Sequence, residues 1–271
     1  MQLIHFFRTL DAGNPVIFGG IRFRDLDVNA AMWIVLIVGV AAVVFAHTAP
    51  APFLLDLLAG ERAVWHMPRG DPPTVYLTYD DGPNPTTTPA LLDLLARERV
   101  RATFFVIDRH VTDETASLVM RMFADGHAVA LHSATRKHMV MSPSRLARTL
   151  TAAADRIGAL TGSRPCPAFR PHGGWRSGPM YEGLRQIDYS LVGWGWMLWD
   201  VDWFHRRTAD RIVARIVERV RPGDIVVMHD GDESHPREPQ PEVVEATARI
   251  IAALRARGFS FGTVGQNGAP C

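Results

Sequence analysis

Two adjacent carboxylates, Asp80 and Asp81, stand in the segment TYDDGPNP at 78–85. Farther along come His132 and His138 in LHSATRKHMV (131–140), Arg170 in FRPHGGW (169–175), Asp200 in DVDW (200–203) and His229 in IVVMHD (225–230). Carboxylates and imidazoles gathered in one place supply an acid, a base and metal ligands, the parts of a metal-assisted hydrolysis. Two neighbouring carboxylates repel, and in an extended strand they point to opposite faces. Asp81-Gly82-Pro83 supplies a turn that brings them to one side, and a divalent cation removes the electrostatic objection, so that one acid can ligate while the other acts as a base. A plain Asp-Gly turn is the competing reading.

These residues need a scaffold, and the chain from about residue 73 alternates strand and helix patterns. VYLTY (75–79), ATFFVI (102–107), AVALH (128–132), CPAFR (166–170), YSLVGW (189–194), IVVMH (225–229) and FSFGTV (259–264) read as strands, and WGWMLWD (194–200) as one more. Between them lie helical stretches over 87–99, from a cap at Asp113 to 124, and from Ser142 with Pro143 in the first turn. Such alternation implies crossover units and a parallel sheet, here an α/β fold best described as a (β/α) barrel. No Gly-rich phosphate loop follows the first strand, which argues against a nucleotide-binding fold. Asp80, Asp81, His132, Arg170, Asp200 and His229 all fall at or just after the last position of a predicted strand. The C-terminal ends of barrel strands are where active sites gather.

The bulk properties bound the partners. The chain has 271 residues and a net charge of +1, so no general field recruits nucleic acid. Arg211, Arg215, Arg219 and Arg221, with Glu218 among them, read as a solvated helix face. Two cysteines, Cys166 and Cys271, are too few for a disulfide framework. From Ala30 to Ala46 the sequence is free of charge, and a helix continuing to about residue 50 is long enough for a single membrane span. We therefore expect a cytoplasmic segment at 1–29, a transmembrane anchor at 30–50, a connector at 51–72 and an extracytoplasmic catalytic domain at 73–266. A cleaved signal peptide, giving a secreted protein, and an apolar core helix are the alternatives.

Taken in order, the motifs resemble those of the polysaccharide deacetylases, carbohydrate esterase family four. TYDDGP is similar to the first motif, LHSATR to the second, FRPHGGW to the third, DVDW to the fourth and IVVMHD to the fifth. The resemblance implies a distorted, seven-stranded barrel that removes N-acetyl groups from an N-acetylhexosamine-containing bacterial glycan such as peptidoglycan or chitin. It implies Asp80 as general base, His229 as general acid, Arg170 holding Asp80, Asp200 orienting His229, and Asp81 and His132 on a divalent metal, zinc by preference. Amides near His172–Gly174 would stabilise an oxyanion. Gly173, Trp175 and Trp203 are candidates for substrate contact, among five tryptophans (Trp175, Trp194, Trp196, Trp199, Trp203) clustered between 175 and 203.

The resemblance breaks at the third metal ligand. The family's second histidine falls four residues after the first, and that position is Arg136. An arginine cannot ligate, and at ~4 Å with an effective dielectric of ~20 it would oppose a divalent ion by about 8 kcal/mol. His138 reaches the ion only if the loop curls. The alternatives are a site completed by water or another side chain, with His172 a candidate because it stands where the family has proline, and a site without metal. Three activities stay open: glycan N-deacetylation, deacylation of lipid-linked sugars, and silent glycan binding on the same fold.

Overall fold

The computed structural model describes residues 17–18, 21–22, 28–47, 63–133, 135–195, 197–201 and 207–265. The chain divides into two compact units, Met1–Ala46 and His47–Cys271. In the first, β1 (Ile17–Phe18) pairs antiparallel with β2 (Ile21–Arg22), and α1 runs over Val28–His47, continuing by one residue past the unit boundary. Met32 to Val38 and Val40 on α1 are exposed. Among the described residues no helix is long and apolar enough to cross a membrane, so they do not by themselves make the span expected at 30–50.

The second unit is built on β3 (Thr74–Asp80), β4 (Thr103–Ile107), β5 (Ala128–His132), β6 (Ala168–Arg170), β7 (Ser190–Leu191), β8 (Ile225–His229) and β9 (Ser260–Phe261). They form one seven-stranded sheet in the order β7-β6-β5-β4-β3-β8, with β9 also on β3. Every pairing in it is parallel. The crossovers are α2 (Thr88–Glu98), α3 (Ala116–Ala124), α4 (Pro143–Thr161), α5 (Gly178–Arg185), α6 (Ala209–Arg219) and α7 (Pro241–Ala256). Val64 bridges Val192 beyond β7, the Gly195 N–H donates to Ile225 O at 2.9 Å, and Trp199 bridges Val227. These bonds bring the far edge of the sheet back to β8.

Strand parity places the chemistry. In β3, Val75, Leu77 and Tyr79 pack outward with Phe104, Val106, Val129, Leu131, Val226 and Met228 in the large core under the helices. The intervening positions Tyr76, Phe105, Ala130, Ala168, Ile225 and Val227 form a second cluster with Trp194 and Trp199. Side chains alternate with period two, so Asp80, His132, Arg170 and His229 continue this second set at the strand C-termini. Register completes the placement: Asp80 pairs with His229, and His132 with Arg170.

Local differences from the sequence reading have simple causes. The helix expected to start at Asp113 is capped at Thr115, whose hydroxyl is engaged with Thr112 and the His110 carbonyl. The 194–200 segment makes one bridge at Trp199 instead of a strand, because it serves to close the sheet. Arg215 turns back to donate to the Trp199 and Val201 carbonyls, so the arginine face of α6 is not wholly solvated. Cys166 is disulfide-bonded, although nothing in the sequence argued for it. Cys271, the second cysteine, lies outside the described residues.

Candidate active site

Asp80 ends β3 in extended backbone, and Asp81 follows it with φ of +69°, a conformation rare for a residue with a side chain. That reversal turns both carboxylates to the same side. It is supported by neighbours the sequence gave no reason to single out. His110 Nδ1 lies 3.0 Å from the Asp81 carbonyl, and a Cβ on Gly231 would sit 2.4 Å from that oxygen, so only glycine fits there. Asp230 is buried against Gly82 with Thr88 donating to it, and burial pushes its carboxyl up to about 7.

Arg170 is fully buried and holds Asp80. Its Nη1 donates to Asp80 Oδ1 at 2.7 Å and to Thr78 Oγ1 at 2.7 Å, and its Nη2 donates to Gly193 O at 2.9 Å. Asp80 Oδ2 lies 3.9 Å from His132 Nδ1. On the other side, Asp200 Oδ1 is 2.6 Å from His229 Nδ1, and its Oδ2 accepts from the His229 N–H at 2.9 Å. Arg207, absent from the sequence reading, lies 3.3 Å from Asp200 and also binds Glu242 and Gln240. Burial opposes charge on the His229 imidazole, but the Asp200 carboxylate, then Asp81 and Asp80, override it and push its pKa up to about 9.

Asp81 and His132 face one another, with Oδ1 to Nε2 at 3.2 Å. Burial would raise the Asp81 carboxyl, but His132, with His229 and His172 nearby, pushes it down to about 2. Asp81 Oδ1 and His132 Nδ1 are buried without a hydrogen-bond partner. Among the described residues, the group whose ligand atoms lie within 4.8 Å of one another is Asp81, His132 and His172. One carboxylate and two imidazoles are a zinc-type donor set, and the buried, unpartnered Asp81 oxygen fits a cation.

His138 is not in that group. It sits in the 3-10 turn Arg136–Val140, its ring tilted against Phe169 at 6.2 Å between centroids. The structure thus does not bring His138, one of the expected third ligands, into this group; the turn sets its ring against Phe169 of β6. Arg136 is exposed and lines the same cavity as Asp81 and His132, where its charge helps to lower the pKa of His172.

Asp80, Asp81, His132, His172 and His229 open onto one cavity of about 520 Å³, lined also by Gly173, Trp194, Trp199 and Val201. Trp175 is not among its lining residues; its ring lies 3.2 Å from where a Gly173 Cβ would be, and the tryptophans that line the cavity are Trp194 and Trp199. Trp196 and the expected Trp203 lie outside the described residues. Of the amides expected to hold an oxyanion, those of His172 and Gly174 donate to Ser133 Oγ (3.3 Å) and Pro171 O (3.0 Å), leaving that of Gly173.

Comparison with known proteins points to one family. A family model described as polysaccharide deacetylase matches residues 68–192. A chitooligosaccharide deacetylase of Sinorhizobium fredii is 36% identical over 204 residues, covering 72% of this chain and 92% of the relative. A peptidoglycan-N-acetylglucosamine deacetylase of Bacillus cereus is 30% identical over 203 residues, covering 74% and 91%. Among solved structures, a family 4 acetyl xylan esterase from Clostridium thermocellum, in complex with a cobalt ion, superimposes with a TM-score of 0.60 at 32% identity, covering 70% of this chain and 87% of that one. This chain belongs to the polysaccharide deacetylase family.

Proposed function

We propose that the protein removes N-acetyl groups from N-acetylhexosamine units of a cell-envelope glycan, hydrolysing a carbon–nitrogen bond outside any peptide. The observation that carries this reading is that Asp80 and His229 open onto the same cavity as the candidate ligand group, each held from behind by its own buried partner, Arg170 and Asp200. A silent glycan-binding domain has no need of a carboxylate and an imidazole each held by its own buried partner.

Asp81, His132 and His172 would hold a divalent cation. When bound, the cation polarises the acetamide carbonyl and acidifies water. Asp80, with Oδ1 fixed by Arg170, receives a proton from the attacking water on Oδ2. His229 is kept protonated by Asp200, whose bond to Nδ1 leaves Nε2 to give its proton to the departing nitrogen as the C–N bond breaks. Acetate and a glucosamine-type amine are the products. Trp194 and Trp199 supply apolar wall for a sugar ring.

We place the domain outside the cytoplasm of a bacterium, tied to the membrane through 30–50. Exposed apolar side chains on α1 support the anchor, and the Cys166 disulfide supports an oxidising compartment. The experiment is acetate release from chitooligosaccharides and from peptidoglycan fragments by the zinc-loaded protein, alongside Asp80→Asn. Turnover lost in the variant with glycan binding kept supports the reading. Glycan binding without acetate release in the parent overturns it in favour of a binding domain.

A further inference from the structure

His172 is not a lone imidazole that happens to lie near Asp81. Its Nδ1 is 2.8 Å from Glu233 Oε2, and its backbone N–H donates to Ser133 Oγ, next to His132. Glu233 is in turn held in the loop after β8: Arg109 donates to its carbonyl, and the flanking Asp232 accepts from the Ser234 and His235 N–H groups at 2.8 and 2.7 Å. A ligating histidine commonly gives its second ring nitrogen to a carboxylate, which fixes the tautomer and the ring orientation. With Nδ1 committed to Glu233, Nε2 is the nitrogen presented toward Asp81 and His132.

We infer that the metal site has been rebuilt across two loops: the β6 loop supplies His172 as third ligand in place of the residue at position 136, and Glu233 from the β8 loop is its positioning residue. The inference rests on the metal-dependent reading above and specifies how that site is completed. It also explains why an arginine is tolerated at 136. Once the third ligand comes from elsewhere, position 136 has only to stay clear of the ion, and Arg136 is exposed.

The test is zinc affinity of the full-length protein by chelator competition, with the visible spectrum of the cobalt-substituted form as a second readout. His172→Ala should lose stoichiometric binding, and adding Arg136→His to that variant should restore it. Glu233→Gln should weaken binding by about 10-fold to 100-fold and alter the cobalt spectrum, while the apo-protein melts as the parent does. His138→Ala should bind as the parent does. Unchanged affinity in His172→Ala, or its loss in His138→Ala, overturns the ligand assignment. Parent-like affinity and spectrum in Glu233→Gln overturn the role of Glu233. A parent that binds no zinc overturns the inference together with the metal-dependent reading. A parent that binds zinc through His172 but releases no acetate leaves the inference standing and sinks the activity alone.

Discussion

Two buried histidines mark the two ends of β5, five residues apart, and they are chemically opposite. His127, just before the strand, is 5% exposed; its Nδ1 accepts the Ala102 N–H at 3.1 Å and its ring meets the Phe104 ring edge-on at 5.3 Å. Burial outweighs the nearby Asp125 and pushes its pKa down to about 4. His132, at the other end, is 7% exposed and stands between Asp81 at 3.2 Å and Asp80 at 3.9 Å. Equal burial therefore does not make equal sites. What separates the two ends is the strand parity and parallel register that collect ionisable groups at the C-terminal side, while the N-terminal side closes on apolar rings and backbone amides. The C-terminal end is built to act and the N-terminal end to stay neutral.

The largest effect should come from the reactive end. Asp80→Asn should lower kcat for deacetylation by about 10²-fold to 10⁴-fold, the usual worth of a positioned acid or base, and leave a folded protein, since the amide oxygen still accepts from Arg170. Parent-like turnover in that variant would break the comparison at its root.

At the other end the sign is set by His127. Its folded pKa of about 4 lies below the unfolded value near 6.5, so the unfolded chain binds more protons in that window. Stability should fall as pH drops from about 6.5 to about 4, by up to about 3 kcal/mol for this group. Urea unfolding at intervals across that range checks it, and His127→Gln should flatten the slope. An identical slope in both proteins would show that the N-terminal end carries no such penalty.

His229 titrates in the opposite sense. Its folded pKa near 9 means that it keeps the proton it must donate, and that both its contribution to stability, complete below about 6.5, and the deacetylation rate decline as pH rises through about 9. In Asp200→Asn the first carboxylate that raises it is gone, so the alkaline limb of the rate profile should move to lower pH. A limb left in place would assign it to another group.

The smallest effect belongs to the third histidine of the β5 region. His138 packs on Phe169 and burial lowers its pKa, so His138→Leu should change stability by no more than about 1 kcal/mol and leave acetate release intact. A loss of turnover would return His138 to the reactive end.

The alternation of strand and helix, and the fall of Asp80, His132, Arg170 and His229 at strand ends, were legible in the sequence, because short β-type runs, helical stretches and the crossovers between them follow locally from residue type. So was the family, through five motifs in order. The third metal ligand was legible only as an open choice among His138, His172 or water, and no metal. His138 is nearer to His132 along the chain, yet the 3-10 turn at Arg136–Val140 carries it to Phe169, and His172 arrives from another strand through the pairing of β6 with β5. Glu233, Arg207, His110 and Gly231 had no sequence signal at all, since each acts through a loop brought in from elsewhere in the chain. Sequence alone determined which residues can do chemistry and on which face of a strand each must lie. Only tertiary structure decided which of them share a site, because loop trajectories follow from packing between distant elements, and no local periodicity encodes that.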